Sequence, residues 1–131
     1  GHLIPDFILN ALDGKELVLF GGKEFRTSLV YVSDVVDCLF RLMDAVKDPG
    51  PTNIGSDVDH SMQEVAEKII EMTNSTSTIT EGEKFVFLSE LSLPRIDRAK
   101  ELGWFPLVRL EDGLARTIEY MKANKILLSN V

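Results

Sequence analysis

The run "FGGKEFRTSLVYVSDVVD", Phe20 to Asp37, sets two glycines, a lysine and an arginine just ahead of an apolar, strand-like stretch. Glycines that let the backbone approach closely, followed by cations, are the raw material of a phosphate-binding loop. Two common templates do not fit. A P-loop needs G-x-x-x-x-G-K-[ST] between a strand and a helix, and "GGKEFRTS" lacks the second glycine and the spacing. A dinucleotide fingerprint needs G-x-G-x-x-G at the opening of a helix, whereas these glycines fall between two expected strands. Gly21 and Gly22 therefore read first as a turn.

Other chemistry-bearing residues are sparse. His2 is next to the terminus, and His60 immediately precedes a helix cap, where a solvated loop residue is expected. No His, Cys and carboxylate set has metal-ligand spacing. Ser28, Ser33 and Ser61 have no nucleophile-elbow context. The single cysteine, Cys38, excludes an internal disulfide and falls on the apolar stripe of an expected helix, so it reads as core. The sequon at Asn74 reads as a chance match. A net charge of −7 argues against nucleic acid, whose backbone selects basic surfaces. No apolar run approaches a transmembrane span, and no signal peptide is visible, so the expected location is cytoplasmic.

The elements that would carry these residues follow from periodicity. At 131 residues the chain is expected to form a single domain with an ordinary core. A first helix is expected from about Ile4 to Asp13, with Pro5 in its first turn and Gly14 as its stop. "KELVLF" and "SLVYV" read as short strands. A helix follows to about Val46, with Ser33 or Asp34 as its N-cap and a broad stripe of Val35, Val36, Leu39, Leu42, Met43 and Val46. "DPGP" breaks it, and "TNIG" reads as a very short buried strand. Ser61 with Glu64 makes a capping box for a helix burying Met62, Val65, Ala66, Ile69 and Met72. "STIT" and "KFVFL" read as extended, a short helix spans about Arg95 to Gly103, and a last helix spans about Leu110 to Ala123. The expected order is αββαβαββαα, an α/β (α+β-like) fragment with short strands and about five helices. The helix after Ser33 is apolar around so much of its circumference that it calls for cover on more than one side.

Taken in order, the pieces "IPDFILNALDGKELVLFGG", "SLVYVSDVVDCLFRLMD", "PGPTNIGSD", "SMQEVAEKIIEMT" and "RAKELGWFPLVRLEDGLARTIEYM" resemble the C-terminal, substrate-binding half of extended short-chain dehydrogenases/reductases. These are the NAD(P)-dependent nucleotide-sugar epimerases, dehydratases and decarboxylases. The resemblance runs from Leu3 to about Lys122. It implies a nucleotide-sugar (UDP- or dTDP-sugar) partner, with Phe20 beside the base, Ile4 walling it, Arg26 on the diphosphate and Arg95 as a further cation. It also implies that the cofactor-binding half is absent. The family's Tyr-x-x-x-Lys pair, in which the lysine lowers the tyrosine's pKa, has no counterpart, because Val35 and Asn124 stand four positions after Tyr31 and Tyr120. The chain alone is thus expected to bind neither NAD nor NADP and to carry no catalytic residue. The expected function is the substrate-binding portion of such an enzyme. The alternative is a non-catalytic binding or oligomeric interaction protein, in which the helix after Ser33 drives self-association.

Two departures from the family pattern matter. The family arginine stands four residues before the strand tyrosine, a register position held here by Thr27, so Arg26 is one residue early. A one-residue slip in a strand turns a side chain to the opposite face. A second family arginine has its counterpart at Ser92, with Arg95 beyond the proline.

Overall fold

The computed structural model describes residues 3–83 and 93–125; the expected extended piece "KFVFL" and Ser92 lie outside them. In chain order the elements are α1 (Leu3–Leu12), β1 (Leu17–Phe20), β2 (Arg26–Ser28), α2 (Val32–Met43), β3 (Asp59–Ser61), α3 (Met62–Thr73), β4 (Ile79–Gly82), α4 (Asp97–Glu101) and α5 (Leu110–Ala123). Five helices with short strands among the described residues make an α/β fold.

Helices with strong sequence signals form where expected. In α1 the i, i+1, i+4 set Phe7, Ile8 and Ala11 is buried. Ser61 caps α3 as read from the capping box, its hydroxyl accepting the Glu64 amide at 3.1 Å. Met62, Val65, Ala66 and Ile69 are buried beneath that cap, with Met72 packed beside them. Asn74 ends α3 in the left-handed conformation, φ 50° and ψ 40°, so the sequon asparagine serves as a helix terminator. Helices α1, α3 and α5 close over β1, whose Leu17 and Leu19 are fully buried, and this cluster is the main core.

The strands among the described residues form two separate pairs. β1 runs parallel to β4, with Leu17 opposite Ile79 and Phe20 opposite Gly82. β2 runs antiparallel to β3, with Arg26 opposite Ser61, Thr27 opposite His60 and Ser28 opposite Asp59.

Three expectations are corrected. The strand read at "SLVYV" lies earlier, at Arg26–Ser28, and its partner is a strand at Asp59–Ser61 that the sequence did not suggest. A strand is defined by its ladder, and a run of β-formers cannot reveal where the partner stops. "TNIG" joins no ladder among the described residues; its Ile54 packs instead against a small second cluster. Helix α2 begins at Val32 with Tyr31 as its N-cap and no side-chain cap, so neither Ser33 nor Asp34 caps it.

Asp34 is used differently. Its carboxylate accepts the Val108 amide at 2.9 Å, and its carbonyl accepts the Trp104 indole N–H at 2.7 Å. One residue therefore fixes both ends of the corner that joins α4 to α5. Gly103, at φ +75°, makes the left-handed turn into that corner. Trp104, Cys38, Ile96 and Ala99 form the second cluster, with Val30, Leu42 and Ile54 against it. Cys38 is buried, as its place on the stripe implied, and burial pushes its thiol pKa up.

Only part of the stripe of α2 turns inward. Cys38 and Leu42 meet the second cluster, while Val32, Val36, Leu39, Phe40 and Met43 face outward, Phe40 at 62% and Met43 at 78% exposure. No helix among the described residues is long and apolar enough to cross a membrane.

Candidate functional site

The loop that opens the question of phosphate binding is a turn between β1 and β2. Gly21 and Gly22 have φ of 100° and 84°, values that only glycine adopts without strain, which supports the turn reading. Phe20 ends β1 half-buried, and its ring lies over the facing strand so closely that a Cβ on Gly82 would come within 2.9 Å of Phe20 Cδ1. The absence of a side chain at Gly82 thus seats the Phe20 ring.

Beyond the turn, β2 alternates. Thr27 and its partner His60 share one face of the ribbon, and Arg26, Ser28, Asp59 and Ser61 share the other. Arg26 uses that second face: its Nε donates to the Asp59 carboxylate and its Nη2 donates to the Asp59 carbonyl at 3.3 Å. The guanidinium holds the Asp59 carboxyl below the usual carboxylate range, chiefly through that hydrogen bond. Lys23, the other cation of the turn, pairs with Glu81 at 3.3 Å.

The His60 face opens on a cleft of about 610 Å³. The first turn of α1 (Ile4, Pro5), the link from β2 to α2 (Leu29–Val32), the loop before β3 (Ser56–Val58) and the corner leading into α5 (106–111) form its walls. The lining is mostly apolar, and the charged groups at its edge have partners. Asp57 pairs with Lys100 and Glu111 with Lys68, each at 2.7 Å, and Arg109 pairs with Asp112 at 3.1 Å. Lys100 and Lys68 hold the Asp57 and Glu111 carboxyls low. Tyr31 is fixed against α5, where a Cβ on Gly113 would meet its ring at 3.1 Å and the Arg116 guanidinium lies 5.6 Å from the ring centre. Such a cleft can enclose a flat or apolar body, and no group of three His, Cys or carboxylates among the described residues could hold a metal.

The structure does not gather the four residues named from the sequence. Ile4 lines the cleft; Phe20 and Arg26 belong to the turn and the opposite face of the ribbon. Arg95 is on the surface, its guanidinium 3.0 Å from Asp97 and its carbonyl accepting the Asn53 amide. His60, expected in a solvated loop, is instead a strand residue on the cleft wall, 3.7 Å from Glu64. Its strand partner Thr27 is 33 positions away, so only the pairing reveals that role.

Comparison with known proteins agrees with this architecture. Residues 1–55 match the family described as NAD dependent epimerase/dehydratase. UDP-glucuronic acid decarboxylase 1 of Xenopus tropicalis is 36% identical over 129 residues, covering 93% of this chain and 29% of the relative. Over nearly its whole length the chain is similar to members of the extended short-chain dehydrogenases/reductases. Within that family, the UDP-glucose 4-epimerase of Thermotoga maritima, solved with UDP-glucose, superposes with a TM-score of 0.88 at 28% identity, covering 95% of this chain and 40% of the epimerase. The Bordetella bronchiseptica enzyme WbmF, solved with NAD+ and UDP, superposes at 0.85 and 30% identity, covering 98% of this chain and 39% of WbmF. The chain thus spans about a third of the length of the family members it matches.

Proposed function

We propose that this chain is the nucleotide-sugar-binding portion of an NAD(P)-dependent epimerase, dehydratase or decarboxylase, and that the cofactor loop and catalytic pair come from outside these 131 residues. The observation that carries the reading is the match along 93% of the chain to a UDP-glucuronic acid decarboxylase three times as long, together with a fold shared with an epimerase solved with UDP-glucose. In this role Phe20 at the turn meets the base and Arg26 beyond it meets the diphosphate through charge-assisted hydrogen bonds, while Ile4, on the cleft wall, lies apart from them. Arg95, 90% exposed and at the start of α4, is the outlying cation. The turn supports the assignment because Gly21, Gly22 and Gly82 leave the backbone beside Phe20 without side chains.

The outward face of α2 supports a second body. Val36, Leu39, Phe40 and Met43 form an apolar surface suited to the cofactor-binding half. The same face favours the second reading, an interaction protein that self-associates through α2.

A thermal-denaturation panel with UDP, UDP-glucuronic acid, dTDP, GDP and NAD tests the proposal. Ligand at about 100 times its dissociation constant stabilises the folded state by roughly 2.7 kcal/mol. The expected result is a rise in Tm with uridine or thymidine diphosphates that Arg26→Ala abolishes. A response to NAD alone, or none to any pyrimidine nucleotide at millimolar concentration, would overturn it.

A further inference from the structure

We propose that Asp59 is a built-in counter-anion that sets how tightly Arg26 holds a diphosphate, so that a ligand must displace it or bind beside it. The inference rests on the role assigned to Arg26 above and adds a residue that the β3 strand alone supplies.

The geometry is local. In the β2–β3 register Arg26 faces Ser61 and Asp59 faces Ser28, which sets Arg26 and Asp59 diagonally on one face of the ribbon, within reach of long side chains. Asp59 takes the Nε edge of the guanidinium fork twice, with its carboxylate and with its own carbonyl. The fork's remaining donors, on Nη1 and Nη2, have no hydrogen-bond partner among the described residues. A diphosphate arriving there meets a carboxylate already in place. It either binds the outer edge beside a like charge or takes over the inner edge and releases Asp59.

Exposure makes the exchange feasible. The Arg26 and Asp59 side chains are 47% and 32% exposed, so water reaches both and a ligand can follow. Exposed pairs are weakly coupled, whereas phosphate engages a guanidinium bidentately and with more charge. Glu24 and Glu64 add negative potential at the same guanidinium, and His60 is the neighbouring titratable group on the Asp59 side. With Lys23 on Glu81, both cations of the turn are neutralised from within the protein.

Isothermal titration of inorganic pyrophosphate and of UDP into wild type, Asp59→Asn, Arg26→Ala and the double variant tests this. Asp44→Asn, which removes the same charge at the end of α2, controls for net charge. Asp59→Asn leaves the backbone ladder to Ser28 in place. We expect it to tighten both ligands about threefold to fivefold, the fold-change equivalent of an exposed ion pair. Asp44→Asn should change neither affinity, and Arg26→Ala should erase the gain. Unchanged or weaker pyrophosphate binding in Asp59→Asn, or no pyrophosphate binding by any variant, overturns the proposal. If pyrophosphate tightens through Arg26 but uridine adds nothing, Asp59 keeps its role and the nucleotide-sugar reading falls. If UDP binds and Asp59→Asn leaves both affinities alone, the reverse holds.

Discussion

The two hydrophobic clusters of this protein are built to different standards. Among the described residues, helices α1, α3 and α5 and the strand β1 bury twelve residues against one another, and each helix turns its apolar side to the same centre. Around Trp104 only four of the described residues are buried, and α2, which supplies Cys38, leaves most of its apolar surface outside. The first cluster completes itself within the chain. The second relies on one large ring and two hydrogen bonds to Asp34. Apolar surface is as costly to expose on α2 as on α3, and of the helices that build the two clusters α2 leaves the most of it outward.

Trp104→Ala should break that contrast most sharply. Truncating a buried tryptophan costs about 3–5 kcal/mol, and here it also removes the indole N–H that ties the corner to the Asp34 carbonyl. Hydrogen exchange should show the amides of α2 and α4 opening well before those of α3. Equal loss of protection in α2 and α3 would mean that the two clusters unfold as one.

A gentler change sharpens the contrast from the other side. Phe40→Ser on the outward face of α2 should alter stability by no more than about 0.5 kcal/mol, as surface substitutions do. Yet it should reduce any concentration-dependent association seen by light scattering. If wild type is a clean monomer at high concentration, α2 does not recruit a second copy.

Acid should produce the smallest change, and it should fall on both regions. Asp13, held low by Lys125 and Lys15, ties the end of α5 to that of α1, and Glu111 ties α5 to α3. Asp57 ties the loop before β3 to α4, and Asp59 ties β3 to β2. Each carboxyl has a folded-state pKa below its unfolded value. Their contributions are therefore present above the ordinary carboxylate range, near pH 4, and are lost as pH falls through the lowered values. Because these pairs are exposed, the decline should be shallow and should flatten further in high salt. A Tm that stays constant from pH 6 to about pH 3 would contradict it.

What the sequence made legible follows from the range of the interactions involved. The capping box at Ser61 and Glu64, the apolar spacing in α1 and the ends of α5 are set within four residues of one another, and periodicity exposes them. The family likeness was legible for the same reason, as five local pieces in order. The β2–β3 ladder joins Arg26 to Ser61 across the whole of α2, and nothing near Arg26 announces Asp59. The one-residue offset of Arg26 could be counted from the sequence. Its consequence, the guanidinium and His60 on opposite faces of the ribbon, needed the register. Likewise Asp34 offered the right chemistry for a helix cap, and only the corner at 104–108 shows that its carboxylate is committed elsewhere.

The placement of Trp104 gives the protein an internal reporter. It is the only tryptophan, it is fully buried, and its indole is bonded to the backbone of α2. Its emission will follow the seam between α2 and the α4–α5 corner, whereas far-ultraviolet dichroism is dominated by helices elsewhere. Superimposable unfolding curves from the two signals would mark a single cooperative unit, and separated ones would date the opening of the seam relative to the rest.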